Sequence, residues 1–257
     1  MEKYFSKHFE VFDLDTIDYW KCESCGFTAA KTLFDMSAKE WEVLNEKFHS
    51  SYHFTDQCDY DANWTERLKL QAKTLASLNK VGLIHQNKPW LDYGCGDGKL
   101  SQFLERYSLK LNNYDEYIGK HTTNVLDKND LKREGFDLVI STSVFEHVRN
   151  IEILNEMENL VSQEGCFAIH TLVREEIPDD PKWFYLLPVH CSLFTNKSMQ
   201  ILFERWGYKF SMYHVPSRLW FWYKEKPRSA GKITESLNKE EAESEYFVKN
   251  DFMDYWK

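Results

Sequence analysis

LDYGCGDGKL, residues 91–100, sets three glycines at alternate positions, Gly94, Gly96 and Gly98. An apolar residue and an acid precede them, and Leu100 opens a new apolar pattern after them. Glycine costs conformational entropy, so three in one turn point to positive φ angles or to a ligand lying against bare backbone. The stretch before the turn, PWLDYG, reads as a short apolar strand. KLSQFLERYS after it carries Leu100, Phe103, Leu104 and Tyr107 at helical spacing. Strand, glycine turn and helix in that order open an α/β sheet, whose ligands bind beyond the carboxyl ends of the strands.

The alternation continues outward. LKLNNYDEY (109–117) reads as a second strand, HTTNVL (121–126) as a weak third and FDLVIST (136–142) as a strong buried one. A helix follows with Ile151, Leu154, Met157 and Val161 inward and Gly165 at its end, then the strand CFAIHTLV (166–173). Strands alternating with helices predict a parallel, doubly wound sheet. Helices are also expected over 37–49, with Ser37 as cap, over 63–84 ending near Gly82, and over 195–207 with Thr195 as cap and Gly207 past its end. YKFSMYHV and LWFWYKE, split by Pro216 and Ser217, read as an antiparallel hairpin.

The glycine spacing discriminates between ligands. A dinucleotide fingerprint needs a third glycine where Lys99 stands. The pattern here is an acid, Asp92, followed by alternate glycines, which suits a ligand with an amine and a ribose and no pyrophosphate. Asp92 can meet the ammonium. Asp115, 23 residues further at the end of the second strand, suits the ribose hydroxyls.

LDYGCGDG, an acid after strand two and FDLVISTSVFEHV after strand four together resemble the class I S-adenosylmethionine-dependent methyltransferases. The resemblance implies a Rossmann-like, mostly parallel sheet of seven strands closed by a C-terminal antiparallel hairpin, with S-adenosyl-L-methionine as cofactor. It implies that Asp92, Gly94, Cys95 and Gly96 contact the methionine part, that Asp115 binds the ribose and that the loop at Leu126 and Asp127 flanks the adenine. The segment between strands two and four is short for the family.

Methyl transfer to a hydroxyl needs a proton removed, and histidine is the usual agent near neutral pH. His147, after strand four, and His190, on the long loop EEIPDDPKWFYLLPVHCSLFT, are the candidate catalytic residues; His147 can alternatively brace the loop through Glu146. His170 reads as a packed core histidine. Trp183, Phe184 and Tyr185 on the same loop fit either a substrate cover, with Trp183 and Tyr185 touching the acceptor, or a satellite core. TSVF stands where amino-directed nucleic-acid methyltransferases carry an N/D-PPY tetrapeptide, which points to a small-molecule hydroxyl or carbon acceptor.

The N-terminal CESCGF resembles half of the zinc module that precedes some bacterial sugar methyltransferases. Cys22 and Cys25 with His49 and His53 would make a Cys2His2 zinc set, Cys58 being a further possible ligand; the alternative is a degenerate knuckle without metal. The core, the CxxCG turn and the WFYLLPVH loop together resemble bacterial surface-polysaccharide methyltransferases. That resemblance implies O-methylation of a nucleotide-activated hexose or heptose. C-methylation of a keto-sugar and S-adenosylmethionine binding without turnover are the rival readings.

The expected domains are a cap over 1–62 with a helical, zinc-knuckle-like character, a methyltransferase domain over 63–228 and an acidic tail over 229–257. In 257 residues with 42% hydrophobic content a substantial core can form. A net charge of −9 argues against a nucleic-acid partner. No apolar run approaches the ~20 residues of a membrane span, and MEKYFSKHFEVFDLD has no secretion-type apolar region, so a cytoplasmic enzyme is expected.

Overall fold

The computed structural model describes residues 1–52, 64–117, 123–228, 230–240, 246–249 and 252–256. In chain order the strands are β1 (Glu2–His8), β2 (Thr16–Lys21), β3 (Thr28–Ala30), β4 (Trp90–Tyr93), β5 (Asn112–Tyr114), β6 (Phe136–Thr142), β7 (Val161–His170), β8 (Val173–Arg174), β9 (Ser192–Thr195), β10 (Phe210–His214), β11 (Leu219–Tyr223) and β12 (Tyr246–Lys249). The helices are α1 (Lys31–Asp35), α2 (Ala38–Tyr52), α3 (Trp64–Lys80), α4 (Lys99–Glu105), α5 (Ile151–Asn159), α6 (Asn196–Arg205) and α7 (Ala230–Glu240). The chain divides into two compact units, one of Met1–Ala62, Ser143–Ile151 and Thr171–Ile201, the other of Asn63–Thr142, Glu152–His170 and Leu202–Lys257.

The second unit holds a seven-stranded sheet in the order β12-β10-β11-β7-β6-β4-β5. β4 pairs in parallel with β5 on one side and β6 on the other, and β6 with β7. The order therefore reverses at β4, which makes its carboxyl end a topological switch point. β11, β10 and β12 complete the sheet with antiparallel pairings. The sheet is thus parallel in one half only, a correction to the mostly parallel expectation. Part of the difference comes from the acidic tail, which supplies both α7 and an edge strand.

Hydrophobic pattern and caps explain most of these elements. Leu68, Ala72, Leu75 and Leu78 of α3 are buried against Leu138, Ile140, Ala168 and Phe221 of the sheet. Fully burying each leucine contributes about 1.5–3 kcal/mol. Gly82 ends that helix run with φ +74°, its amide donating to Asn79 O. On α4, Leu100 and Leu104 are buried, but Tyr107 lies past the helix end and is exposed. The weak strand expected over 121–126 is reduced to a single parallel bridge, Asn113 with Val125; residues 121 and 122 lie outside the described residues.

The helix expected to run to Gly165 stops at Asn159, and Val161 already belongs to β7. Gly165 accounts for the join. A Cβ there would sit 2.9 Å from Ser162 Oγ and 3.0 and 3.1 Å from the carbonyl oxygens of Asp137 and Phe136. Bare backbone lets β7 close onto β6 across the register shift between Phe136 and Leu138. The Asp137 carboxylate secures the place, accepting from Lys88 N at 2.6 Å and Ser162 Oγ at 3.1 Å.

The first unit carries a five-stranded sheet, β1-β2-β3-β9-β8. Residues 1–62 were expected to be helical and zinc-knuckle-like; the stretch Glu2–Ala30 instead holds three antiparallel strands, and the helices α1 and α2 follow it. TIDYWK alternates, with Ile17 and Tyr19 buried and Asp18 outward, and Phe5 stacks on Tyr19 at 4.7 Å. CESCG is the connection between β2 and β3. Gly26 adopts φ +74°, Gly26 N donates to Cys22 O and Cys22 N to Phe27 O, both at 2.8 Å. The helix expected from Ser37 is α2, entered through a capping box: Glu40 N donates to Ser37 Oγ, and Ser37 N to Glu40 Oε2. Leu33, Trp41 and Leu44 share one core with Ile177, Trp183, Leu186 and Val189 of the long loop.

Candidate functional site

Two constellations of functional side chains stand out, one in each unit. The first is the turn after β4. Gly94, Gly96 and Gly98 take φ values of 78°, 55° and 69°, a region that costs an L side chain about 1–2 kcal/mol. Tyr114 O of β5 accepts from Gly94 N at 2.7 Å and Cys95 N at 3.1 Å. Asp115 completes the tie: its Oδ2 accepts from Gly96 N at 3.0 Å and its Oδ1 from Tyr117 N at 2.9 Å. The turn and the acid after strand two, separate in sequence, are one hydrogen-bonded structure. Asn113 and Ser101 brace it from below, Asn113 Nδ2 donating to Ser101 Oγ at 2.9 Å and Ser101 Oγ to Gly98 O at 2.8 Å.

Asp92 is the electrostatic centre of this turn. It is 1% exposed, and its Oδ1 has no hydrogen-bond partner. Burial, then the nearby carboxylates of Asp115 and Asp97, push its pKa up to about 8. The Cys95 thiol is pushed up too, by burial and then by Asp92 and Asp115. A buried carboxylate oxygen without a partner, beside two further acids, is a place a cation would satisfy. The ammonium and sulfonium of the implied cofactor fit that demand, and the glycines offer backbone without side chains. Lys99 directly follows the turn; its Nζ pairs with Asp97 at 2.9 Å and lies over Trp64 at 4.1 Å from the ring centroid.

Leu126 and Asp127, expected from the resemblance to flank the adenine, stand on the side of β5 away from β4. Leu126 N donates to Asn113 O at 2.8 Å. Asp127 is exposed and caps a short turn at Lys128–Asp130, sharing a capping box with Asp130. That local duty was not read from the sequence, although D-x-x-D is a capping signal.

The second constellation lies in the first unit. Ser143, with φ +56°, leads out of β6 into a tight turn at Phe145–His147. Arg149 anchors that turn by donating to the carbonyls of Leu33 at 3.1 Å and Met36 at 2.7 Å. Cys191 N donates to Glu146 O at 2.8 Å. The His147 and His190 rings meet edge to face at 4.9 Å, and His49 lies 5.8 Å from His147. Glu146 is buried and accepts from Thr171 Oγ1 at 3.0 Å. His190 Nδ1 lies 2.8 Å from Tyr185 O, so Nδ1 carries the proton and Nε2 the lone pair. Burial, partly opposed by that bond, holds the His190 pKa down to about 4. Burial and the two neighbouring histidines hold His147 well below its ordinary value.

The structure therefore brings together His147 and His190, both read as catalytic, and adds Glu146, His49 and Thr171. No sequence spacing pointed to Thr171 or to Arg149, because their partners lie 25 and more than a hundred residues away. Trp183 is buried in the core of the first unit, and Phe184 is exposed. Tyr185 is half-buried, packs on His190 at 4.5 Å and accepts from Leu172 N through its hydroxyl at 3.2 Å. His170 lies at the end of β7, its pKa lowered by burial and then by Arg67 and Arg218.

Of the zinc set, Cys22 and Cys25 sit in the β2–β3 turn, while His49 lies beside His147; His53, like Cys58, falls outside the described residues. A hydrogen bond with Ser24 and then backbone bonds from Cys25 and Ser24 bring the Cys22 thiol down to about 7. Among the described residues, Cys22 and Cys25 join no third metal-ligating side chain, and the one group of three is Glu146, His147 and His190. No helix among these residues is long and apolar enough to cross a membrane.

The methyltransferase-domain family matches residues 64–211, more than half of the chain. No curated protein matches at a significant level. Similar solved structures include a possible histamine N-methyltransferase of Thermotoga maritima, described as S-adenosylmethionine-dependent, with 16% identity and a TM-score of 0.42 over 64% of this chain and 97% of that one. Another is the 1,6-didemethyltoxoflavin N1-methyltransferase of Burkholderia thailandensis, solved with its substrate and S-adenosylhomocysteine, with 14% identity and a TM-score of 0.49 over 84% and 97% of the two chains.

Proposed function

The chain belongs to the methyltransferase-domain family and is an S-adenosylmethionine-dependent enzyme, and we propose from that premise that it methylates a hydroxyl of a nucleotide-activated hexose or heptose. The observation that carries the cofactor assignment is the unpartnered Oδ1 of buried Asp92 at the three-glycine turn. In this reading Asp92 faces the positive charge of the methionine part, Gly94, Cys95 and Gly96 line it, and Asp115 holds the ribose. Leu126 and Asp127 border the adenine.

Methyl transfer is an in-line displacement at the sulfonium carbon. The acceptor oxygen gains the methyl, the sulfur keeps the C–S bonding pair and becomes neutral, and the hydroxyl proton must leave. Holding oxygen and carbon about 3 Å apart and aligned supplies much of the rate. His147 or His190 takes the proton. His190 suits the task because its Nδ1 is committed to Tyr185 O, leaving Nε2 as acceptor. Tyr185, packed on His190, orients it, and Trp183 closes the loop that carries both.

A hydroxyl acceptor is supported by the histidine pair and by TSVF standing in place of an amino-directed tetrapeptide. The sugar class is supported by the likeness of the CxxCG turn and the WFYLLPVH loop to surface-polysaccharide methyltransferases. The test is incubation with S-adenosylmethionine and a panel of nucleotide-sugars, followed by mass spectrometry. A gain of one methyl with an ether-type carbon signal supports the reading. Transfer to a ring carbon, or to no sugar in the panel but to another class of small molecule, overturns it.

A further inference from the structure

We propose that Glu146, His147 and His190 bind one divalent first-row transition-metal ion, of the zinc kind, with a coordination position left open for an oxygen ligand. One ligand atom from each of the three lies within 4.8 Å of the other two. A tetrahedral ion with bonds of about 2.1 Å sets its ligands about 3.4 Å apart. The three atoms therefore lie within about 1.4 Å of that spacing. Two imidazoles and one carboxylate favour zinc, iron or cobalt over magnesium and calcium, which take oxygen ligands. Three protein ligands with a fourth position open is the arrangement of catalytic rather than structural zinc.

The surroundings fit a metal centre in three independent ways. Nδ1 of His147 is buried without a hydrogen-bond partner, which an ion would supply. His190 gives its Nδ1 proton to Tyr185 O at 2.8 Å, which fixes the ring and presents the Nε2 lone pair. Metal-bound histidines are held in the same way by a carbonyl or carboxylate behind them. Glu146 receives Thr171 Oγ1 at 3.0 Å, and a carboxylate has lone pairs for an ion beside that bond. The turn carrying two of the ligands is fixed by Arg149 and by Cys191 N, so the ligands are held before the ion arrives. His49, 5.8 Å from His147 between ring centroids, lies beside the set and is not one of its ligands.

In the metal-loaded chain both imidazoles would hold the ion, which would lower the pKa of a hydroxyl in the fourth position and let its proton pass to water, so neither histidine would then act as base. That role rests on the hydroxyl-acceptor reading; the site itself does not. The test uses the full chain, stripped with chelator and titrated with Zn²⁺ or Co²⁺. One equivalent is expected to bind, with Co²⁺ absorption bands of low-coordinate nitrogen and oxygen ligation. E146Q and H190Q each weaken binding at least tenfold, and the double variant C22S/C25S binds as the native chain does. Near-UV circular dichroism and the melting midpoint of metal-free E146Q and H190Q, measured alongside, stay as in the native chain, which shows that both units fold. Native-like metal binding in E146Q and H190Q overturns the proposal. So does an intense thiolate-to-cobalt band that disappears in C22S/C25S, or the failure of the native chain to retain any ion. Metal binding without methyl transfer to any hydroxyl compound upholds the site and removes the acceptor reading instead.

Discussion

Proton release coupled to cofactor binding is the sharpest consequence of the Asp92 geometry. Free of ligand, Asp92 is held up to about 8 by burial and by Asp115 and Asp97, so it is protonated across pH 5.5–7.5. A cation placed against its unpartnered Oδ1 favours the carboxylate and expels the proton. With one proton released per ligand, affinity rises tenfold per pH unit. Between pH 5.5 and 7.5 that is about 100-fold, or about 2.7 kcal/mol at 1.36 kcal/mol per unit. Isothermal titration of S-adenosylmethionine in phosphate and in Tris, whose ionisation enthalpies differ, measures both the slope and the released proton. In D92N the slope disappears and the two buffers agree. An affinity constant within twofold over this range in the native chain, or an equal slope in D92N, refutes the reasoning. The same shift acts on stability. Folded Asp92 keeps its proton up to about pH 8 whereas the unfolded chain loses it near 3.8, so the unfolded state binds fewer protons in between and free-protein stability falls as pH rises through that window. Melts of D92N should lack that component of the fall.

Three further outcomes follow from the geometry. Asp115→Ala removes the acceptor of Gly96 N and the carboxylate assigned to the ribose; S-adenosylmethionine affinity should drop at least tenfold, measured by titration calorimetry. Gly98→Ala places a Cβ at φ 69° and should cost about 1–2 kcal/mol, read as a lower denaturant midpoint with an unchanged slope. Gly165→Ala forces a Cβ to 2.9 Å from Ser162 Oγ and about as close to two β6 carbonyls, and should cost about 1–3 kcal/mol by the same assay, while Gly207→Ala, with open space around it, pays only for its positive φ.

Local chemistry made the second unit legible from sequence. Alternate glycines behind Asp92, the apolar strand at 136–142, the α3 stripe of Leu68, Ala72, Leu75 and Leu78, and the YKFSMYHV–LWFWYKE hairpin each carry their cause within a few residues, in φ requirements, burial pattern or turn residues. The bond from Gly96 N to Asp115 follows from two such neighbouring turns at one switch point. Tertiary structure decided what depends on distant partners. Strands β1 and β2 pair locally and β2 alternates, a signal the reading passed over; β3, three residues long, takes meaning only from its pairing with β2 and β9. Gly165 looked like a helix end, and only the approach of β6 shows that it is a point of close packing. His147, His190, Glu146 and His49 are spread over more than 140 residues of sequence, and spacing cannot report that they meet. The sequence by itself determined the three-glycine turn, because backbone conformation is a local property; the meeting of Glu146 with the histidines was decided by the fold, because contact between remote side chains is not.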